Sequence, residues 1–100
     1  MKRPEKVKII GKVYALTFTT EAPLEADDMG DCDSNKQRIA VRDGQPLESE
    51  QDSVLHEIVH GIDDSMGIKL KEGQVEKIAT GLLAVLKDNP PLAAYLRRKK

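Results

Sequence analysis

The stretch Val54-Leu55-His56-Glu57-Ile58-Val59-His60-Gly61-Ile62 decides how the rest of this 100-residue chain is read. Val54, Leu55, Ile58, Val59, Ile62 and Met66 recur at three- and four-residue steps, the period of a helix with an apolar stripe. Ser49, with Asp52 three residues on, is the expected N-terminal cap, and Gly67 is the expected stop. The spacing therefore predicts a helix from Ser49 to Gly67. His56 and His60 stand one above the other on a single face of it, where both imidazoles can reach one ion. Glu57 lies between them, close enough to take a proton from water held by that ion. These are the parts of a zinc hydrolase, because catalytic zinc takes three protein ligands and leaves a position for water, whose pKa falls to about 7. The chain has only two histidines, and this motif uses both.

A third ligand must come from elsewhere, and a carboxylate is the remaining choice. A second helix is expected from Lys71 to Lys87, with Val75, Ile78, Ala79, Leu82, Leu83 and Leu86 as its buried stripe. It carries Glu72 and Glu76. Six residues from His60 to Met66 climb about 9 Å, and the five from Gly67 to Lys71 can return about 17 Å when extended. The loop closes easily. Glu72 lies nearer the apolar stripe than Glu76, which makes Glu72 the expected zinc ligand and Glu76 its neighbour and alternative. Asn89-Pro90-Pro91 ends this helix and starts a short third one, Leu92 to Arg98.

Upstream, residues 6–20 alternate, with Tyr14, Leu16 and Phe18 on one face, and Gly11 marks one bent strand or a hairpin. Residues 21–35 show no periodic apolar pattern and read as a loop. Residues 37–42 read as a short edge strand ended by the Asp43-Gly44 turn. The fold class is α+β: one domain, residues 1–100, with a small antiparallel or mixed sheet of three strands followed by the three helices.

With 39% hydrophobic and 33% charged residues, no Trp and one Phe, the chain is a soluble globule with an aliphatic core. Its net charge of -1 speaks against a nucleic-acid binder, and no apolar run suggests a membrane partner. The charge is unevenly placed. Lys2 to Lys8 and Arg97 to Lys100 are basic, whereas residues 21–35 and 43–68 hold no Lys or Arg at all. That middle suits a cation better than a phosphate. The lone Cys32 and the absence of a leader pattern give a cytoplasmic expectation. Neighbouring acids would raise the Cys32 pKa and leave an inert thiol. Asp31, Asp33 and Asn35 begin like a calcium loop, but Lys36 and Arg42 stand where a glycine and a glutamate are required.

His56-Glu57-Ile58-Val59-His60-Gly61-Ile62-Asp63-Asp64, followed by Glu72-Gly73-Gln74-Val75-Glu76, resembles the gluzincin branch of the zinc metallopeptidases, and the first segment is similar to the neprilysin family. In its small size the chain is also similar to metallopeptidase-like proteins of phage genomes, which implies a bacterial host cytoplasm. The resemblance implies a zincin-like fold, His56, His60 and a downstream glutamate on zinc, and Glu57 as general base. It also implies that Asp63 supports the first histidine. Where the branch places an aspartate four residues after its glutamate ligand, this chain has Glu76. For an oxyanion partner the candidates are Tyr14, Tyr95, Arg97 and Arg98.

The expectation is a zinc-dependent peptidase that lays an extended peptide or protein substrate against the 37–42 strand by strand addition. The alternative is a non-catalytic zinc-binding or assembly module of phage origin, in which the ion only ties two helices together.

Overall fold

The computed structural model describes residues 2–99, so Lys100 of the basic tail lies outside the described residues. The protein is α+β, with four strands, β1 (Lys6–Ile9), β2 (Lys12–Thr19), β3 (Gly30–Asp33) and β4 (Arg38–Arg42), then α1 (Leu47–Met66), α2 (Glu72–Asp88) and α3 (Pro90–Leu96). The sheet order is β1-β2-β4-β3, with β2 and β4 parallel and the two outer pairs antiparallel.

The 6–20 segment resolves into a hairpin. Ile10 and Gly11 both adopt positive φ, 45° and 84°, which a two-residue turn matched to strand twist requires. The alternation then puts Tyr14 and Leu16 inward, where they join Ile9, Ile39 and Val41 in a sheet core closed by Val54, Ile58 and Ile62 of α1.

Two expectations for the strands are corrected. Residues 30–33 are not loop but strand β3, which brings the sheet to four strands. Gly30 and Cys32 turn toward α1 with small side chains, so the strand has alternation without the large apolar residues that announce one. In consequence the 38–42 segment is not an edge. It lies between β2 and β3, and Ile39, Ala40 and Val41 are all buried. The flanking arginines serve adjacent segments of the chain. Arg38 approaches the Asp33 carboxylate at 3.7 Å, and Arg42 donates to the backbone carbonyls of Asp28 and Glu25, both at 2.6 Å.

Helix α1 starts two residues earlier than expected. Pro46, not Ser49, holds the N-cap position, its carbonyl accepting from the Glu50 N–H at 2.9 Å, and Glu48 and Glu50 place negative charge at the positive end of the helix. Gly67 ends it as expected, in the left-handed conformation with φ 63°. Glu50 is buried in the folded chain yet not orphaned, because Arg3 pairs with it and with Asp43 (2.8 Å) while stacking over the Phe18 ring. The N-terminal segment is thereby tied to the start of α1.

Helix α2 packs on α1 and α3 and touches no strand. Its stripe is narrower than the sequence implies: Val75 and Ala79 are buried with Val59, Leu55 and Leu70, while Ile78, Leu82 and Leu86 are exposed and Leu83 is half-buried. Among the described residues no helix is long and apolar enough to cross a membrane.

The sheet core sets a test of this packing. Ile39 is fully buried and Leu47 is 64% exposed, so Ile39→Ala should cost about 2–5 kcal/mol and Leu47→Ala under about 0.5 kcal/mol. Urea unfolding followed by circular dichroism measures both.

Candidate active site

At about 100° of rotation per residue, the apolar positions of α1 cover two adjacent faces, one on the sheet and one on α2. The face left over carries His56, Glu57 and His60. It forms the floor of a groove of about 510 Å³, with β3 and the residues before it on one wall and the start of α2 on the other. The histidine rings lie edge to face with centroids 5.0 Å apart.

Glu72 closes the site from α2. Its Oε1 is 2.5 Å from His56 Nε2 and its Oε2 is 3.1 Å from His60 Nε2, so one carboxylate spans both imidazoles. One nitrogen or oxygen from each of the three residues lies within 4.8 Å of the others. Glu76 faces the same groove without joining that cluster.

The connection between the helices explains how Glu72 arrives there. The Asp63 carboxylate accepts from the Lys69 N–H at 2.7 Å and the Leu70 N–H at 3.2 Å, and its carbonyl takes the Gly67 N–H at 2.8 Å. Asp63 thus holds the turn rather than a histidine; among the described residues it makes no bond to His56 or His60. On the far side of the turn, the Gln74 side chain accepts from the Lys71 N–H at 2.8 Å and opens α2 one residue before Glu72. A third tie, the Thr80 hydroxyl donating to Asp52 at 2.8 Å, fixes the two helices side by side.

Glu57 is 6% exposed, and among the described residues its carboxylate has no hydrogen-bond or ion-pair partner. Burial, then Asp31, Glu72 and Asp28 nearby, pushes its carboxyl up to about 8. It lies against β3 where Gly30 leaves room: a Cβ there would sit 2.7 Å from Glu57 Oε2. The requirement for glycine was hidden in the sequence because nothing near residue 30 hints at a helix passing over it. Also missed were the carboxylates of Asp27, Asp28 and Asp31 as one wall of the site, which follow from β3 being a strand.

Tyr14 is buried in the sheet core, and neither it nor Tyr95, Arg97 or Arg98 lines the groove. None of the four stands where an oxyanion partner would be needed.

Cys32 also lines the groove. Burial first, with Glu57, Asp64 and Asp31 adding and the Ser34 hydroxyl opposing, pushes its thiol up to about 11. Burial therefore outweighs the neighbouring acids as the reason the thiol is inert. At pH 8 its alkylation by iodoacetamide should run about a hundredfold slower than that of free cysteine, rising about tenfold per pH unit toward pH 11. Mass spectrometry of timed aliquots reads the rate directly. No protein-family model matches this chain, and neither the curated proteins nor the solved structures yield a match to it.

Proposed function

We propose that the protein is a zinc-dependent peptidase whose ligands are His56, His60 and Glu72 and whose general base is Glu57. The observation that carries this reading is the meeting of two imidazole nitrogens and one carboxylate beside a buried, unpaired glutamate, on the floor of one open groove. The donor set fits zinc, which favours neutral imidazole with carboxylate and keeps a position open when only three protein ligands are present. When bound, the ion would polarise a water and the scissile carbonyl.

The remaining work falls to the chain. Glu57 takes the proton of the attacking water and returns it to the departing amine. Gly30, without a side chain, leaves the space against β3 that this carboxylate occupies. Strand β3, now the edge strand beside the active-site helix, replaces the 37–42 segment as the place for an extended substrate. The Arg42 N–H donates to the Met29 carbonyl at 2.8 Å, so Met29, Asp31 and Asp33 face β4, and the backbone groups of Gly30 and Cys32 point to the free edge.

Two measurements test the reading. Plasma emission analysis should find about one zinc per chain, lost in His56→Ala and in His60→Ala. Glu72→Ala should weaken zinc, in competition with a chromogenic chelator, by more than the 10-to-100-fold typical of a supporting residue, and Glu76→Ala by less. A protein without stoichiometric metal, or a His60→Ala variant that keeps it, refutes the site.

Glu57→Gln should keep zinc and fold while losing cleavage of an unstructured peptide library by at least about a hundredfold, the usual scale of a removed general base. Mass spectrometry of the digests separates the two functions. Zinc bound by both proteins with no cleavage by either would instead favour a structural ion tying α1 to α2.

A further inference from the structure

We infer that the groove recognises peptides carrying lysine or arginine, with the cationic side chain seated at its Asp28–Asp52–Glu76 end. This rests on the groove being the peptide site proposed above. Eight of the fourteen residues that line it are carboxylates and none is Lys or Arg. The metal cluster accounts for Glu72 and the chemistry for Glu57. The others have no such duty, and on an exposed surface like charges brought together repel one another unless something offsets them.

The arrangement along the groove locates the excess. Gly30 lies against Glu57, Cys32 near Gly61, and Ser34 donates to Asp64 at 2.5 Å, so β3 and α1 run in the same direction. Residues before Gly30 therefore flank the part of α1 that precedes His56, which is where Asp52 projects. Helix α2 runs the opposite way, Glu72 at the histidines and Thr80 at Asp52, which sets Glu76 between them. Three carboxylates, one from the loop before β3, one from α1 and one from α2, thus line the groove on the Asp52 side of the histidines.

Among the described residues no Lys or Arg pairs with the Asp28, Asp52 or Glu76 carboxylate. The nearest guanidinium, Arg42, is spent on the backbone carbonyls of Asp28 and Glu25. Among the described residues the Asp28 carboxylate accepts only from the Glu25 N–H at 3.0 Å, and Asp52 only from Thr80. A second observation points to a ligand rather than to a merely solvated face. Glu57, only 6% exposed, lines the same groove and among the described residues has no hydrogen-bond or ion-pair partner, so its carboxylate is left open to whatever occupies the groove. A cationic substrate side chain gains charge-assisted hydrogen bonds at the acidic end and is drawn toward it before docking.

The test uses three labelled peptides of identical length carrying lysine, glutamine or glutamate at the same positions. Their binding to the zinc-loaded Glu57→Gln chain is followed by fluorescence anisotropy. The lysine peptide should bind about tenfold or more tighter than the glutamine peptide, with the glutamate peptide weakest. The preference should shrink as salt rises from about 0.05 M to about 0.5 M. Replacing Asp28→Asn, Asp52→Asn and Glu76→Gln together keeps the Glu25 and Thr80 hydrogen bonds possible and should bring the lysine-to-glutamine ratio near one. Removing the same charge elsewhere, by Glu21→Gln, Glu48→Gln and Asp88→Asn, should leave it intact. Glu76→Gln alone, an exposed change that breaks no bond, should lower it in part. Equal ratios in the groove and control triples overturn the proposal. Cleavage by the wild-type chain is scored separately: cleavage without charge preference keeps the peptidase and discards this inference, and charge-selective binding without cleavage does the reverse.

Discussion

Helix α1 has to satisfy the sheet and α2 at once while a third face stays open, and the rest of the molecule follows from how its circumference is divided. Val54, Ile58 and Ile62 close the sheet core, Leu55 and Val59 meet α2, and the face that neither claims carries His56, Glu57 and His60. In a chain of 100 residues with one Phe and no Trp, no second helix is available to share these duties. The site is therefore not an addition to the scaffold. Its floor is the strip of the central helix that two cores leave open, which is why a cluster of two histidines and a carboxylate can stand on so small a protein.

Close approach between α1 and the sheet has a steric condition. A Cβ on Gly61 would lie 2.8 Å from Ile9 Cδ1, just as one on Gly30 would strike Glu57. Two glycines, one on the helix and one on the edge strand, set the spacing between these layers. Glu57 is buried in consequence, and its burial is what shifts its proton affinity. Packing and chemistry are here the same fact seen at different atoms.

What could be read from the residues alone was whatever repeats at helical spacing. The course of α1, its stop at Gly67, the return of α2 and the meeting of His56, His60 and Glu72 all depend on local period and chain length, and those are visible in order along the sequence. The strands were harder. Gly30-Asp31-Cys32-Asp33 becomes a strand because β4 offers it a ladder, and Ile39-Ala40-Val41 becomes central because β3 covers its other side. Neither fact is local. The outward stripe of α2 misled for a related reason: Ile78, Leu82 and Leu86 have the right period for a core, but α1 is the only layer beneath the helix and reaches only Val75 and Ala79. Arg3 pairing with Glu50 spans most of half the chain and has no signature in sequence at all.

Because α2 touches no strand, its hold on the molecule rests on the Val59–Val75–Ala79 contact, the Asp63-clamped turn, the Thr80–Asp52 bond and the Glu72 carboxylate against His56 and His60. Helices α2 and α3 are therefore expected to open as one unit while the hairpin, the remaining strands and α1 stay folded, at a free energy below that of the whole domain. Glu72 would leave with that unit, and the two histidines would stay behind. Ligation by all three residues would join the detachable unit to the fixed one, so occupancy of the site and amide protection along residues 72–96 would rise and fall together.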